Sequence, residues 1–161
     1  ENGGVYNHCN AFKIMADCRL GRAEQALSTL HKMIPDSKDN PVSITGAEPY
    51  LFVNCWCMHP SFFTRIWFGW FTGTSAWALR GFYEGICGLR REYGGLRVQP
   101  CIPGAWKELT LTRTFRGCRY HIHISNTGSG KPEVTVDGNR LADTLLPVLN
   151  DGQIHEVVVR T

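Results

Sequence analysis

Hydrophobic spacing changes once along this chain, near Gly95, and that change limits what it can fold into. Ahead of it the apolar residues recur at helical spacing; beyond it they alternate with polar ones, the period of a half-buried strand. In residues 10–20, Ala11, Phe12, Ile14, Met15, Ala16, Cys18 and Leu20 cover almost every face. A helix that is apolar all round is expected to be buried on all sides. Its two charges, Lys13 and Asp17, stand four apart, where they can pair. After Gly21, residues 22–33 place Ala23, Ala26, Leu27, Leu30 and Met33 on one face, with Glu24, Gln25, Ser28 and Lys32 opposite. A buried helix followed by a surface helix fits one hairpin of a double-layered helical barrel. Residues 35–46 read as a polar loop. A third helix is expected over 74–87, with Ala76, Trp77, Leu79, Phe82, Tyr83 and Ile86 on its apolar face and Gly88 ending it.

In the second half, Leu109, Leu111 and Phe115 alternate with polar partners, as do Tyr120, Ile122 and Ile124, then Val134 and Val136. Ile154, Val157 and Val159 close the pattern, and Asp137-Gly138 and Asp151-Gly152 read as tight hairpin turns. The expected class is α+β: helices first, then a small antiparallel β-sandwich domain packed on them.

Charge and composition exclude several functions. Charged residues make up 19% and the net charge is +3, with no basic run of the kind that marks a nucleic-acid arm or a polybasic membrane patch. The most apolar stretch, residues 66–71, is far shorter than the roughly 20 residues that span a bilayer. No secretory signal opens the chain; Glu1-Asn2-Gly3-Gly4 reads as an interior loop and suggests a fragment. Seven cysteines, an odd number at irregular spacing, point to reduced thiols in a cytoplasmic protein rather than a disulfide framework.

Several local features carry chemistry, each beside a plainer explanation. Thr72-Gly73-Thr74 opens the third helix, where unpaired N–H groups, hydroxyls and a glycine suit a phosphate; an ordinary N-cap uses the same residues. His8 stands just before the apolar helix and suits an anion contact or a proton shuttle, or a simple cap. Glu1 and Glu48 are loop carboxylates, functional or merely solvated. Cys55 with Cys57, and His121 with His123, are spaced to share a strand face. Neither pair has a third or fourth ligand nearby in sequence, so no metal ligand set is assigned. Trp56, Trp67, Trp70 and Trp77 suit sugar stacking or a core.

Taken together, the strings Glu1-Asn2-Gly3-Gly4, Asn7-His8, Phe12-Lys13-Ile14-Met15-Ala16-Asp17, Glu48-Pro49-Tyr50, Thr72-Gly73-Thr74 and Pro100-Cys101-Ile102-Pro103 with Trp106 resemble a known family. Phe115-Arg116-Gly117 and Tyr120-His121-Ile122 continue the match. It is the inverting β-glycoside phosphorylases of glycoside hydrolase family 94, which include cellobiose and chitobiose phosphorylases. The resemblance implies the end of an (α/α)6 toroid over residues 1–97 and a C-terminal β domain over 98–161. It implies cleavage of a β-linked glucosyl disaccharide by inorganic phosphate, with inversion, to α-glucose 1-phosphate. His8, Thr72 and Gly73 then contact phosphate, and Glu1 and Asn54 the sugar. Asn54 departs from the family, where a glutamine is usual, and puts the exact disaccharide in doubt: cellobiose, cellobionic acid or laminaribiose.

The family's catalytic aspartate lies upstream of the matched segment, so no catalytic residue is assigned and the chain alone is expected to be inactive. Phosphate is a co-substrate, no other cofactor is expected, and the parent is expected to be a homodimer that binds neither nucleic acid nor membrane. The phosphorylase-like domain of a membrane-bound cyclic β-1,2-glucan synthase and a non-catalytic carbohydrate-binding module are the rival readings. A zinc-stabilised β domain is a third.

Overall fold

The structure, a computed structural model, describes residues 3–35, 38, 41–62 and 65–161. It divides into two compact units, residues 1–82 and 83–161.

The first unit is built on helices with a small sheet at their start. Strand β1 (Gly4–Tyr6) runs directly into helix α1 (Asn7–Arg19). Helix α2 (Ala23–Met33), the single turn α3 (Val42–Thr45), strands β2 (Cys55–Cys57) and β3 (Ile66–Trp67), and helix α4 (Thr74–Arg80) follow. The sheet order is β1-β2-β3, antiparallel throughout. Asn7 does not cap α1. Its side chain is fully buried and donates from Nδ2 to the Val53 carbonyl at 2.9 Å, while its N–H donates to the Asn54 carbonyl at 2.9 Å. A buried amide left unpaired costs about 1–3 kcal/mol, so this pairing fixes where α1 begins.

The α1 and α2 hairpin agrees with the sequence pattern. Ala26, Leu30 and Met33 form the buried stripe of α2. Lys13 donates to Asp17 at 2.6 Å and to Thr29 Oγ1 of α2 at 2.8 Å. Burial of α1 does not follow expectation. Only Asn7, Ala11, Ile14 and Asp17 are buried, whereas Leu20 is 65% exposed and Phe12 48%. One stripe of α1 is enclosed, because the described elements cover only part of its circumference.

Helix α4 continues as a π-type helix over Gly81–Ile86, so the helical run matches the expected span. Its buried face is only partly the expected one: Ile86 is buried, but Ala76 and Leu79 are not. Thr74, Ala78 and Gly81 are buried, while Leu79 is 58% exposed. Small residues win because α1 lies close: a Cβ added at Gly81 would stand 3.3 Å from Ile14 Cγ2. Trp77 packs from the side, edge-on to Phe12 with ring centroids 4.8 Å apart.

The second unit holds two sheets. Strands β4 (Leu89–Glu92) and β5 (Gly95–Val98) form a hairpin. Strands β6 (Glu108–Phe115), β7 (Cys118–Ser125), β8 (Glu133–Val136), β9 (Asn139–Arg140), β10 (Leu145–Leu146) and β11 (Ile154–Arg160) follow. The sheet orders are β10-β5-β4 and β6-β7-β11-β8-β9. The strand-rich part thus begins at Leu89, a little ahead of the change near Gly95 that hydrophobic spacing suggested. Tyr120, Ile122, Ile124, Val134, Val157 and Val159 make one fully covered face of the large sheet. Tyr120 crosses from it to donate its hydroxyl to the Pro147 carbonyl beyond β10.

Pairing is antiparallel with one exception: β11 lies parallel to β7 and antiparallel to β8. Alternation in the sequence gives a strand's face but not its neighbour. For the same reason Asp151-Gly152 is not a hairpin turn; it leads into β11, and Gly152 donates its N–H to the Gly117 carbonyl at 2.8 Å. The tight β6–β7 turn is Arg116-Gly117, with φ of 44° and 82°. At Gly117 any side chain would strike Asn150. Asp137-Gly138 does join β8 to β9, as expected. Ile154 faces outward at 58% exposure, and the covered face continues instead to His155.

His155 is clamped between two turns. Its Nδ1 meets Asp137 Oδ2 at 2.7 Å and its Nε2 meets Asp151 at 3.1 Å. Hydrogen bonds from Asp137 and then Asp151 hold the imidazole pKa above its ordinary 6.5. Asp137, bonded by His155, and Asp151, bonded by the Gln153 N–H and His155, are held below 3.8. A raised His contributes stability fully present below 6.5 and lost as pH rises through its folded pKa. A depressed Asp contributes stability present above 3.8 and lost as pH falls through its folded pKa. The clamp is therefore complete between about pH 4 and 6.5. Hydrogen exchange at β11 amides should be slowest in that window and accelerate as pH rises past it, after correction for intrinsic rates. His155→Gln should flatten that rise; an unchanged profile would count against the clamp.

Candidate functional site

Of the five residues that the family resemblance assigns to the site, His8, Asn54, Thr72 and Gly73 lie in the described part of the first unit, and they converge. His8 occupies the first turn of α1, placed there by the Asn7 bonds to residues 53 and 54. Opposite it is Gly73, at the start of α4: a Cβ built there would stand 2.7 Å from His8 Nε2. Gly73 has φ −86° and ψ 4°, a conformation open to any residue. Its glycine is needed for space, not for backbone freedom.

Thr72 and Asn54 complete the group. Asn54 Nδ2 donates to Thr72 Oγ1 at 3.4 Å, and the Thr74 N–H donates to the same oxygen at 3.1 Å. With both lone pairs of Thr72 Oγ1 engaged, its own hydrogen is the one left to give. That hydrogen has Thr74 Oγ1 at 2.6 Å, or an incoming acceptor. Asn54 is itself held at both backbone ends, its carbonyl by Asn7 and its N–H by the Phe68 carbonyl at 3.1 Å. Phe68 adopts φ 54°, a left-handed conformation rare for an aromatic residue.

Tyr6 is the member that sequence reasoning missed. Its hydroxyl meets His8 Nδ1 at 2.5 Å, with the two rings edge-on at 4.9 Å. When the phenol donates, Nδ1 is the acceptor and Nε2 carries the proton, aimed toward Gly73. The group then offers an imidazole N–H, a threonine hydroxyl and a side-chain amide around a glycine with no side chain to block approach. That is a neutral-donor cradle suited to an anion. The signal was present as Tyr6-Asn7-His8, two residues apart where strand turns to helix.

The remaining candidates separate. Glu1 lies outside the described residues. Glu48 sits by the aromatic loop, its Oε2 3.9 Å from the Cβ position of Gly69. Trp56 packs with Ala47, Val53 and Ile66 in a small core, the plainer of its two readings. Trp70 is 64% exposed, with the Tyr50 ring 6.1 Å away. Cys55 and Cys57 are buried strand residues, and burial raises the Cys55 pKa. All seven cysteines are free thiols; burial pushes Cys87 up to about 12, too high for a reactive thiolate at neutral pH. A groove of about 750 Å³ beside α1 and α2, lined by Asn10, Lys13, Gln25, Ser28, Trp56 and Met58, contains none of His8, Asn54, Thr72 and Gly73. No helix among the described residues is long and apolar enough to cross a membrane.

Comparison with known proteins gives the same direction across the chain. Residues 89–141 match the family 65 glycosyl hydrolase C-terminal domain. The chain is 37% identical to solabiose phosphorylase of Paenibacillus borealis over 99% of its length, which is 21% of that protein. It is 33% identical to cellobionic acid phosphorylase of Neurospora crassa, again over 99% of the chain and 21% of the relative. Cyclic beta-(1,2)-glucan synthase of Rhizobium meliloti is 29% identical over 86% of the chain and 5% of that protein. The chain thus spans about a fifth of the length of the phosphorylases it matches. Residues 1–88, which hold the whole His8 cluster, match the catalytic domain of the glycosyl hydrolase 94 superfamily, and the chain belongs to that family.

Proposed function

We propose that this chain supplies the phosphate-binding wall of a β-glycoside phosphorylase. The whole protein uses inorganic phosphate to cleave a β-linked glucosyl disaccharide, with inversion, to α-glucose 1-phosphate and a free sugar. The observation that carries the reading is His8 Nε2 facing the bare Cα of Gly73, with Thr72 held beside it. Family membership and the two phosphorylase relatives support it.

The chemistry follows from those groups. Phosphate must be held in a fixed orientation, and preorganised N–H and O–H donors do this without reorganising during the reaction. His8 and Thr72 donate to phosphate oxygens and position one oxygen below the anomeric carbon, opposite the leaving sugar. The new bond joins C1 to phosphate as the glycosidic C1–O bond breaks. A carboxylic acid elsewhere in the longer protein gives its proton to the departing oxygen, as in inverting glycosidases. Asn54 and Glu1 are assigned to the sugar by family resemblance, and no metal or organic cofactor takes part. Asp17 is not that acid, since Lys13 holds it at 2.6 Å on α1.

The match to a cyclic β-1,2-glucan synthase favours a second reading, a phosphorylase-like domain within a glucan-synthesising protein. The two separate in one assay. The whole protein, given cellobiose, cellobionic acid or laminaribiose, should release α-glucose 1-phosphate only when phosphate is present. No product from any of the three would move the assignment to the glucan synthase. The 161-residue chain by itself should release none; measurable turnover would refute the assignment of the acid to another segment.

Gly73→Ala in the whole protein would set a methyl group against His8. It should lower kcat/KM for phosphate about 100-fold, the scale of an ångström-level misplacement, while disaccharide KM stays near wild type. Tyr6→Phe should be milder. Losing one hydrogen bond of about 1 kcal/mol implies roughly a five-fold fall, again on the phosphate side. Equal loss for both substrates would place the cluster outside the phosphate site.

A further inference from the structure

The geometry points to a site for one divalent transition-metal ion, zinc foremost, held by His121, His123 and Glu156 on the outer face of the large sheet. It lies in the second unit and does not rest on the phosphorylase reading. The sequence shows two of the three ligands, spaced to share one face of β7. The third arrives from β11 because that strand runs parallel to β7, with Glu156 in register beside His121.

Glu156 addresses each imidazole with a different oxygen: Oε1 lies 3.1 Å from His121 Nδ1, and Oε2 lies 3.4 Å from His123 Nε2. Three ligand atoms, one from each residue, lie within 4.8 Å of one another. Bonds of about 2.0–2.2 Å to a tetrahedral ion place its ligand atoms about 3.3 Å apart. Each histidine already stands near that spacing from one carboxylate oxygen, Oε1 for His121 and Oε2 for His123, so a small turn of the carboxylate brings a single oxygen between them. The imidazoles stand edge-on at 4.4 Å between centroids, and both side chains are about 40% exposed, free to close the remaining gap by rotation.

A further contact prepares one ligand. Thr110 Oγ1 on β6 meets His123 Nδ1 at 3.2 Å, directly across the β6–β7 ladder. With the Nδ1 proton given to threonine, the lone pair is on Nε2, the atom that faces Glu156. Metal-bound histidines are oriented in this way by a partner on the other ring nitrogen. Two neutral imidazoles and one carboxylate suit zinc, cobalt or nickel rather than calcium or magnesium, which prefer all-oxygen shells. Three protein ligands leave a coordination position for water. Occupied, the site ties β7 to β11 at the one parallel junction of the sheet.

The test is calorimetric titration of the chelator-treated, reduced chain with zinc chloride, paired with cobalt(II) absorption spectra. One equivalent should bind, with cobalt d–d bands free of thiolate charge transfer. His123→Ala and the isosteric Glu156→Gln should each weaken binding at least 100-fold while the metal-free circular dichroism stays unchanged. Thr110→Val should weaken it about ten-fold. Zinc should raise the unfolding temperature of wild type and not of Glu156→Gln. No saturable binding would overturn the proposal. So would binding that survives both ligand variants but is lost in the Cys55→Ser/Cys57→Ser double variant.

Discussion

One asparagine organises the helical unit. Asn7 uses its main-chain N–H and its side-chain amide on consecutive carbonyls, those of Asn54 and Val53, and so joins the start of α1 to a segment 46 residues away. The bonds are buried, where breaking either leaves an unpaired polar group at a cost of about 1–3 kcal/mol. Everything in the candidate site is one step removed from this junction. His8 is the next residue; Tyr6, which orients it, is the previous one; Asn54, which steadies Thr72, is the acceptor itself. Gly73 then reaches His8 through the packing of α4 on α1, where Gly81 and Ala78 permit close approach.

The second unit depends on a different constraint, the placement of β11 between β7 and β8. Its inward residues Val157 and Val159 fill the covered face, and its outward Glu156 stands next to the β7 histidines. At the entry to the strand, His155 links the turns at residues 137 and 151. One strand thus carries core, clamp and surface cluster, and each arises because neighbouring positions on a strand point to opposite faces.

Much of this was legible in the sequence, for identifiable reasons. Long elements with a clear period announced themselves: α1, α2, the helical run from Thr74, and strands β6, β7, β8 and β11. The β1-β2-β3 sheet did not, since strands of two or three residues are too short to show alternation. The apolar circumference of α1 forecast burial that these residues alone do not provide. In α4 the large residues drew attention, although the small ones make the contact. His8, Asn54, Thr72 and Gly73 were each visible as residue types in suggestive places, yet their convergence depends on contacts between segments far apart in sequence, Asn7 with 53 and 54, Asn54 with Thr72, and His8 with Gly73. Tyr6 was passed over because nothing local distinguishes an orienting phenol from a surface one. Glu156 was invisible to spacing for the same reason as the parallel register: it is 35 residues from His121 along the chain.

The placement of β11 also decides what joins the two halves of the sheet. The β6–β7 and β8–β9 hairpins are local, closed by two-residue turns at 116–117 and 137–138, and such units form in microseconds. Neither hairpin pairs with the other; both meet only β11. Until that strand inserts, β7 and β8 each present an open edge whose inward side chains are Ile122, Ile124, Val134 and Val136. Open apolar edges are where chains pair with the wrong partner. The non-local pairing of β11 with both neighbours therefore completes this sheet and closes both of those edges at once.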